Sequence, residues 1–192
     1  MASHVRRPPV RLTARGRGPA RRPVALTGTP GTGKSTVAAR LGPRVRWQEV
    51  GALVGGGGRR GPVVVDLARL GRRPLPAGLD LVVGHLAHLL PVRDAIVLRC
   101  RPDELGRRLA SARRGSAADR RANVEAEATD VVLFEALRDG RRVWEIDTTG
   151  RTPDAVARAV ARRLRRGGAA RYGSVDWLAD RRVTEHLLDG PP

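Results

Sequence analysis

The run Gly28-Thr29-Pro30-Gly31-Thr32-Gly33-Lys34-Ser35 constrains this chain more than any other stretch. Glycines at 28, 31 and 33 let a backbone curl tightly enough for successive N–H groups to point at one centre. The short apolar run Pro23–Thr27 precedes it, and Lys34–Leu41 has the composition of a helix. A strand, a glycine-rich turn and a helix N-terminus in that order form an anion cradle, because N–H groups and helix dipole both favour negative charge. The spacing fits G-x-x-x-x-G-K-[ST], whose lysine reaches the β- and γ-phosphates of a nucleotide and whose hydroxyl sits on Mg²⁺. Lys34 and Ser35 fall at those places. Gly28, Gly31, Thr32 and Gly33 are the candidate phosphate-contacting backbone.

Lys34 is the only lysine among 37 basic side chains; the rest are arginines. A planar guanidinium fork cannot replace a slim ammonium group where the pocket admits only the latter. The lone lysine also narrows the nucleotide. A guanine-specific GTPase reads its base with Asn-Lys-x-Asp, and a chain whose one lysine is already in the phosphate loop cannot build that motif. An ATP-dependent enzyme of 192 residues points to the small nucleoside and nucleotide kinases, with ATP and Mg²⁺ as cofactors.

The rest of the chain predicts a parallel sheet covered on both faces. Val63–Val65, Leu79–Val83, Ala95–Leu98 and Val143–Ile146 are short apolar runs suited to buried strands. Pro102–Ala112 reads as a helix with Leu105 and Leu109 four apart, and Ala122–Arg138 as another, on Val124, Val131, Val132, Phe134 and Leu137. Asp154–Arg166, opened by Thr152 or Pro153, is an amphipathic closing helix. Strands alternating with helices give an α/β fold: a P-loop NTPase with three layers and a parallel central sheet. Residues 1–22 carry seven arginines, three prolines and no acid, and predict a disordered basic arm or a misassigned start. The folded domain is expected over 23–178, with a C-terminal tail over 179–192.

Charge speaks to partners. A net +18 attracts polyanions, nucleic acid first among them; arginine on solvated helix faces in a chain from a GC-rich genome is the plainer alternative. The single cysteine, Cys100, excludes an internal disulfide and a cysteine-rich metal site. No apolar run approaches the ~20 residues that span a bilayer, and no secretory signal follows the basic N-terminus, so the expected location is the cytoplasm, away from membranes.

Several blocks together resemble one family. LTGTPGTGKSTVA (26–38), VVVDLARL (63–70), VVGHLAHLL (82–90), IVLRCRPDELGRRL (96–109), NVEAEATDVVLFEA (123–136), EIDTTG (145–150) and GSVDWL (173–178) are similar, in order, to the atypical adenylate kinase family (adenylate kinase isoenzyme 6), closest to its archaeal branch. The resemblance implies a nucleoside-monophosphate-kinase-like fold with a short lid. It makes Gly31, Gly33, Lys34, Ser35 and Thr36 the ATP-phosphate ligands and Arg114 the lid arginine, in a lid over 113–123. It places the monophosphate segment from Glu49 to about Arg69. His85 matches the histidine of the family's acidic-x-His motif, with a role in orienting water or coupling nucleotide state to movement; His88 reads as structural. An arginine-rich lid is chemically apt, since a transferring phosphoryl group needs cations around it once water is excluded.

Two positions depart from the family. Its acid two residues before the histidine is Val83 here, and Asp80, an odd number of residues away along a strand, points to the opposite face. The acidic, tyrosine-containing stretch of the monophosphate segment is replaced by Gly55–Gly58 and Arg59-Arg60, whose guanidinium forks are candidate monophosphate ligands. The implied activity is broad-specificity nucleoside monophosphate kinase (ATP and AMP to two ADP) with ATPase activity, acting in small-subunit rRNA maturation as a monomer beside a platform ribosomal protein and pre-ribosomal RNA. The alternative is a catalytically weakened ATP-binding assembly factor with those same partners.

Overall fold

In a computed structural model, residues 22–54, 66–113 and 115–189 are described. In chain order the elements are β1 (Val24–Thr27), α1 (Lys34–Ala39), β2 (Trp47–Glu49), α2 (Val50–Leu53), α3 (Leu67–Leu70), β3 (Leu81–Val83), a 3₁₀ turn (Ala87–Leu89), β4 (Asp94–Arg99), α4 (Pro102–Ser111), α5 (Ala117–Ala128), α6 (Val131–Leu137), β5 (Arg142–Asp147), α7 (Pro153–Arg166) and α8 (Arg181–Asp189). The five strands form one parallel sheet in the order β2-β3-β1-β4-β5.

The period of two along each strand builds the layers. Leu26, Leu81, Val83, Ile96 and Leu98 face Val37 and Ala38 of α1, Leu41 just beyond it, and Val156 and Val160 of α7. Their neighbours Ala25, Val82, Ala95 and Val97 face the other way, onto Val50, Leu53, Leu70, Leu133 and Ala136. Central strands buried on both faces read as continuous apolar runs, and the helices on either side complete the three-layer P-loop NTPase architecture.

Helix ends follow local chemistry. Pro102 and Pro153 open α4 and α7 where a missing N–H costs nothing. Ser116 caps α5 in a reciprocal box with Asp119, and the Thr152 hydroxyl accepts from the Ala155 N–H.

Trp47–Glu49 forms a strand that the apolar runs do not announce, at the sheet edge beside β3. Three expectations need correction. The helix expected over 122–138 is two: Asp130 takes a left-handed conformation (φ 59°) that ends α5 and starts α6, because its carboxylate turns to Arg99. The segment read as a lid is already helical from Ala117, through the Ser116 cap. The segment read as a tail contains α8, whose Val183 is buried. The predicted strand Val63–Val65 and the arm expected over 1–22, apart from Arg22, lie outside the described residues.

Candidate active site

Between β1 and α1 the chain turns through Gly28, Gly31 and Gly33, all at positive φ (135°, 94° and 91°). Two of them also lack room. A Cβ on Gly28 would stand 2.3 Å from the Leu98 carbonyl oxygen, and one on Gly31 would meet Leu105 Cδ1 at 2.8 Å and Leu109 Cδ2 at 2.9 Å. The loop is thus seated on β4 and α4, while its open side, where a Cβ on Gly33 would touch nothing, is left clear.

The loop's side chains hold its shape. The Thr32 hydroxyl donates to the Thr29 carbonyl at 2.9 Å, and its N–H donates to the same oxygen at 3.2 Å. Lys34 lies back across the loop, Nζ donating to the carbonyls of Gly28 (2.8 Å) and Thr29 (2.9 Å). The Ser35 hydroxyl donates to Glu49 Oε1 at 2.6 Å. Thr36 sits one position further along α1, exposed. The first turn of any helix leaves N–H groups without intrahelical partners, so this surface combines an ammonium group, a hydroxyl and backbone donors.

Beneath the loop is a buried charged network that sequence reasoning missed. The Thr29 hydroxyl donates to Glu127 Oε2 at 2.5 Å. Glu127 Oε1 accepts from Arg99 Nε (2.8 Å), the Cys100 N–H (3.0 Å) and Trp177 Nε1 (3.2 Å). Arg99, 1% exposed, also donates to Glu145 at 2.6 Å and to Asp130. Burial opposes its charge, but Glu127 and Asp130 outweigh that and hold the guanidinium above its usual pKa. An arginine ending an apolar strand and a glutamate in a helix facing it were the available signal; only the fold pairs them.

His85 follows β3, with its side chain exposed and its carbonyl accepting from the Thr27 hydroxyl at 3.1 Å. Loss of water around the ring lowers its pKa, and the Lys34 ammonium pushes the same way, against Glu135. His88 is fully buried: Nε2–H donates to Glu135 at 3.0 Å and Nδ1 lies 2.9 Å from the Thr27 hydroxyl. Its surroundings are those of a structural residue. Val83 is 1% exposed and packed toward α1, whereas Asp80 is at the far end of β3, accepting from the Arg46 N–H. The opposite-face expectation for Asp80 is overtaken by a simpler fact: it sits at the wrong end of the strand. Arg114, Arg59, Arg60 and Gly55–Gly58 lie outside the described residues, while Arg113 is exposed after α4.

A parallel sheet in this order, with a G-x-x-x-x-G-K-S loop between its middle strand and the following helix, defines a P-loop NTPase. No protein-family model matches the chain. Three archaeal proteins, each called "Putative adenylate kinase", align over most of it. That of Thermococcus onnurineus is 37% identical over 87% of this chain and 98% of its own. That of Archaeoglobus fulgidus is 42% identical over 82% and 92%, and that of Natronomonas pharaonis 42% over 85% and 99%. The chain belongs to the archaeal adenylate kinase-like family that these relatives represent. Among solved structures, a gluconokinase from Sinorhizobium meliloti 1021 matches 75% of this chain and 91% of that one at 17% identity, with a TM-score of 0.49. Among the described residues no helix is long and apolar enough to cross a membrane.

Proposed function

We propose that the protein is an ATP-dependent nucleoside monophosphate kinase of broad acceptor range, turning ATP and AMP into two ADP and hydrolysing ATP when no acceptor is bound. The phosphate loop carries this reading. Its shape is set by Gly28 and Gly31, and its one lysine is held on loop carbonyls that phosphate oxygens can replace. The Ser35 hydroxyl beside the Glu49 carboxylate is an all-oxygen donor set, which suits Mg²⁺. Among the described residues no cluster of three or more His, Cys, Asp or Glu could hold a metal, so Mg²⁺ would be shared with nucleotide oxygens.

In this reading the loop N–H groups and Lys34 bind and orient the β- and γ-phosphates, and Ser35 helps to hold Mg²⁺. Mg²⁺ held there would neutralise charge on those phosphates. As the lid arginine that the family resemblance implies, Arg114 would add positive charge for the transferring phosphoryl group, which is worth most where water is excluded. His85, kept neutral by its surroundings, orients a water or the acceptor beside Lys34. Positioning and charge account for most of the catalysis.

Product analysis tests it. With Mg·ATP and AMP, ADP in large excess over inorganic phosphate is the expected result, and without AMP a slower release of the two in equal amounts; equal ADP and phosphate regardless of AMP refutes the kinase and leaves an ATPase. A second reading, an ATP-binding assembly factor beside a small-subunit ribosomal protein and pre-ribosomal RNA, is favoured by the net +18 and by Val83. It predicts RNA affinity that falls steeply with salt.

A further inference from the structure

Val83 leaves the end of β3 without a carboxylate, and the neighbouring strand offers one. Glu49 and Val83 are register partners in the parallel pairing of β2 with β3, so their side chains leave the sheet on the same face. Val83 belongs to the cluster packed on α1, which places Glu49 on the α1 side, at the level where that helix begins. The hydrogen bond from the Ser35 hydroxyl to Glu49 Oε1, at 2.6 Å, fixes the carboxylate beside the hydroxyl that a phosphate loop uses for its metal.

The other acids nearby are committed elsewhere. Asp80 caps the far end of β3, and Glu135 takes His88. Glu127 and Glu145 take Arg99, and Asp66 accepts from the Arg69 N–H and guanidinium. Glu49 is exposed like Asp66 and Asp80, but it differs from all of these acids in lying on the site side of the sheet with its hydrogen bond going to the candidate metal-holding hydroxyl. Mg²⁺ sheds water reluctantly and is usually held by one or two carboxylates together with waters and phosphate oxygens, a requirement that a solvent-facing carboxylate next to Ser35 meets.

We propose that Glu49 supplies the carboxylate of the Mg·ATP site, one strand over from the position at which the fold's usual acid is lost. This rests on the ATP-dependent reading above.

Because Gln keeps the hydrogen bond to Ser35 and removes the charge, Glu49→Gln isolates the metal role from a structural one. ATP affinity is measured by calorimetry on the full chain with excess Mg²⁺ and with EDTA, and Mn·ATP binding is followed by electron paramagnetic resonance. The expected result is that Mg²⁺ tightens ATP binding to the wild type and that Glu49→Gln loses about tenfold of that gain, roughly 1.4 kcal/mol. Affinity in EDTA should be unchanged or tighter, since a negative charge near the phosphates is gone. Adding Val83→Asp to Glu49→Gln should return the metal gain. Full Mg²⁺ dependence in Glu49→Gln overturns the assignment, as does a wild type whose ATP affinity ignores Mg²⁺. A metal gain lost in Glu49→Gln, with no phosphoryl transfer to AMP in the wild type, upholds Glu49 and sinks only the kinase.

Discussion

Glu127→Ala should destabilise the protein far more than any surface substitution. The carboxylate is 2% exposed and accepts from Thr29, Arg99, Cys100 and Trp177 at once. Removing one partner of a buried ion pair costs about 3–5 kcal/mol, because the charge left behind is desolvated. Arg99 would keep Glu145 and Asp130, which favours the lower end. Orphaning the Cys100 N–H adds about 1–3 kcal/mol. A loss of about 4 kcal/mol is a large share of the ~5–15 kcal/mol that holds a domain together. For a chain of this size it should lower Tm by roughly 8–16 °C, at about 2–4 °C per kcal/mol. Urea and thermal unfolding measure it, with Glu125→Ala as the control: that residue pairs with exposed Arg121 and should cost under about 1 kcal/mol. Glu127→Gln separates charge from volume. If Glu127→Ala stays within about 1 kcal/mol of wild type, Arg99 is satisfied without it and the network account is wrong.

Three further outcomes follow from the geometry. Gly31→Ala combines a left-handed backbone with a Cβ driven into Leu105 and Leu109, and should cost about 2–5 kcal/mol by chemical denaturation. Burial raises the Cys100 thiol to about 12, so thiol reagents at pH 8 should label it only at the rate of unfolding; fast labelling of the native protein would contradict its burial. Burial lowers the pKa of His88, against its hydrogen bond to Glu135 and with Arg141 and His85 adding to the fall. A group with a depressed folded pKa is protonated first in the unfolded chain, so its contribution is complete above about pH 6.5 and is lost as pH falls through the folded pKa. Unfolding free energy should therefore decline below about pH 6.5, and His88→Gln should flatten that slope relative to wild type even though His85 shifts in the same direction.

The phosphate loop and the layered sheet were legible in the sequence because both are local signals. Glycine spacing reports a turn, and β4 announces itself as an apolar run because it is covered on both faces. The family resemblance reached the remaining blocks, and the archaeal relatives bear it out. What escaped depends on tertiary pairing. Trp47–Glu49 is three residues at a sheet edge, too short for a period to register. The break at Asp130 falls in a stretch, Ala126–Asp130, that is only weakly apolar, and the pairing of Asp130 with Arg99 on another element is not written in the local pattern. Glu49 looked like part of a monophosphate segment until the register set it beside Val83.

The strand order also sets a schedule. β1 carries the phosphate loop and is the first of the described strands, yet its two partners are Leu81–Val83 on one side and Ala95–Val97 on the other. On a ribosome adding about 5–20 residues per second, the loop's own strand must wait several seconds for β3 and β4 to emerge before it has anything to pair with. Its floor comes later still, when Glu127 arrives to meet Arg99, and the last bond to that carboxylate comes from Trp177, 50 residues further on. The nucleotide loop is therefore synthesised early and finished late, and a nascent chain released before Trp177 would carry the full motif on an unfinished support.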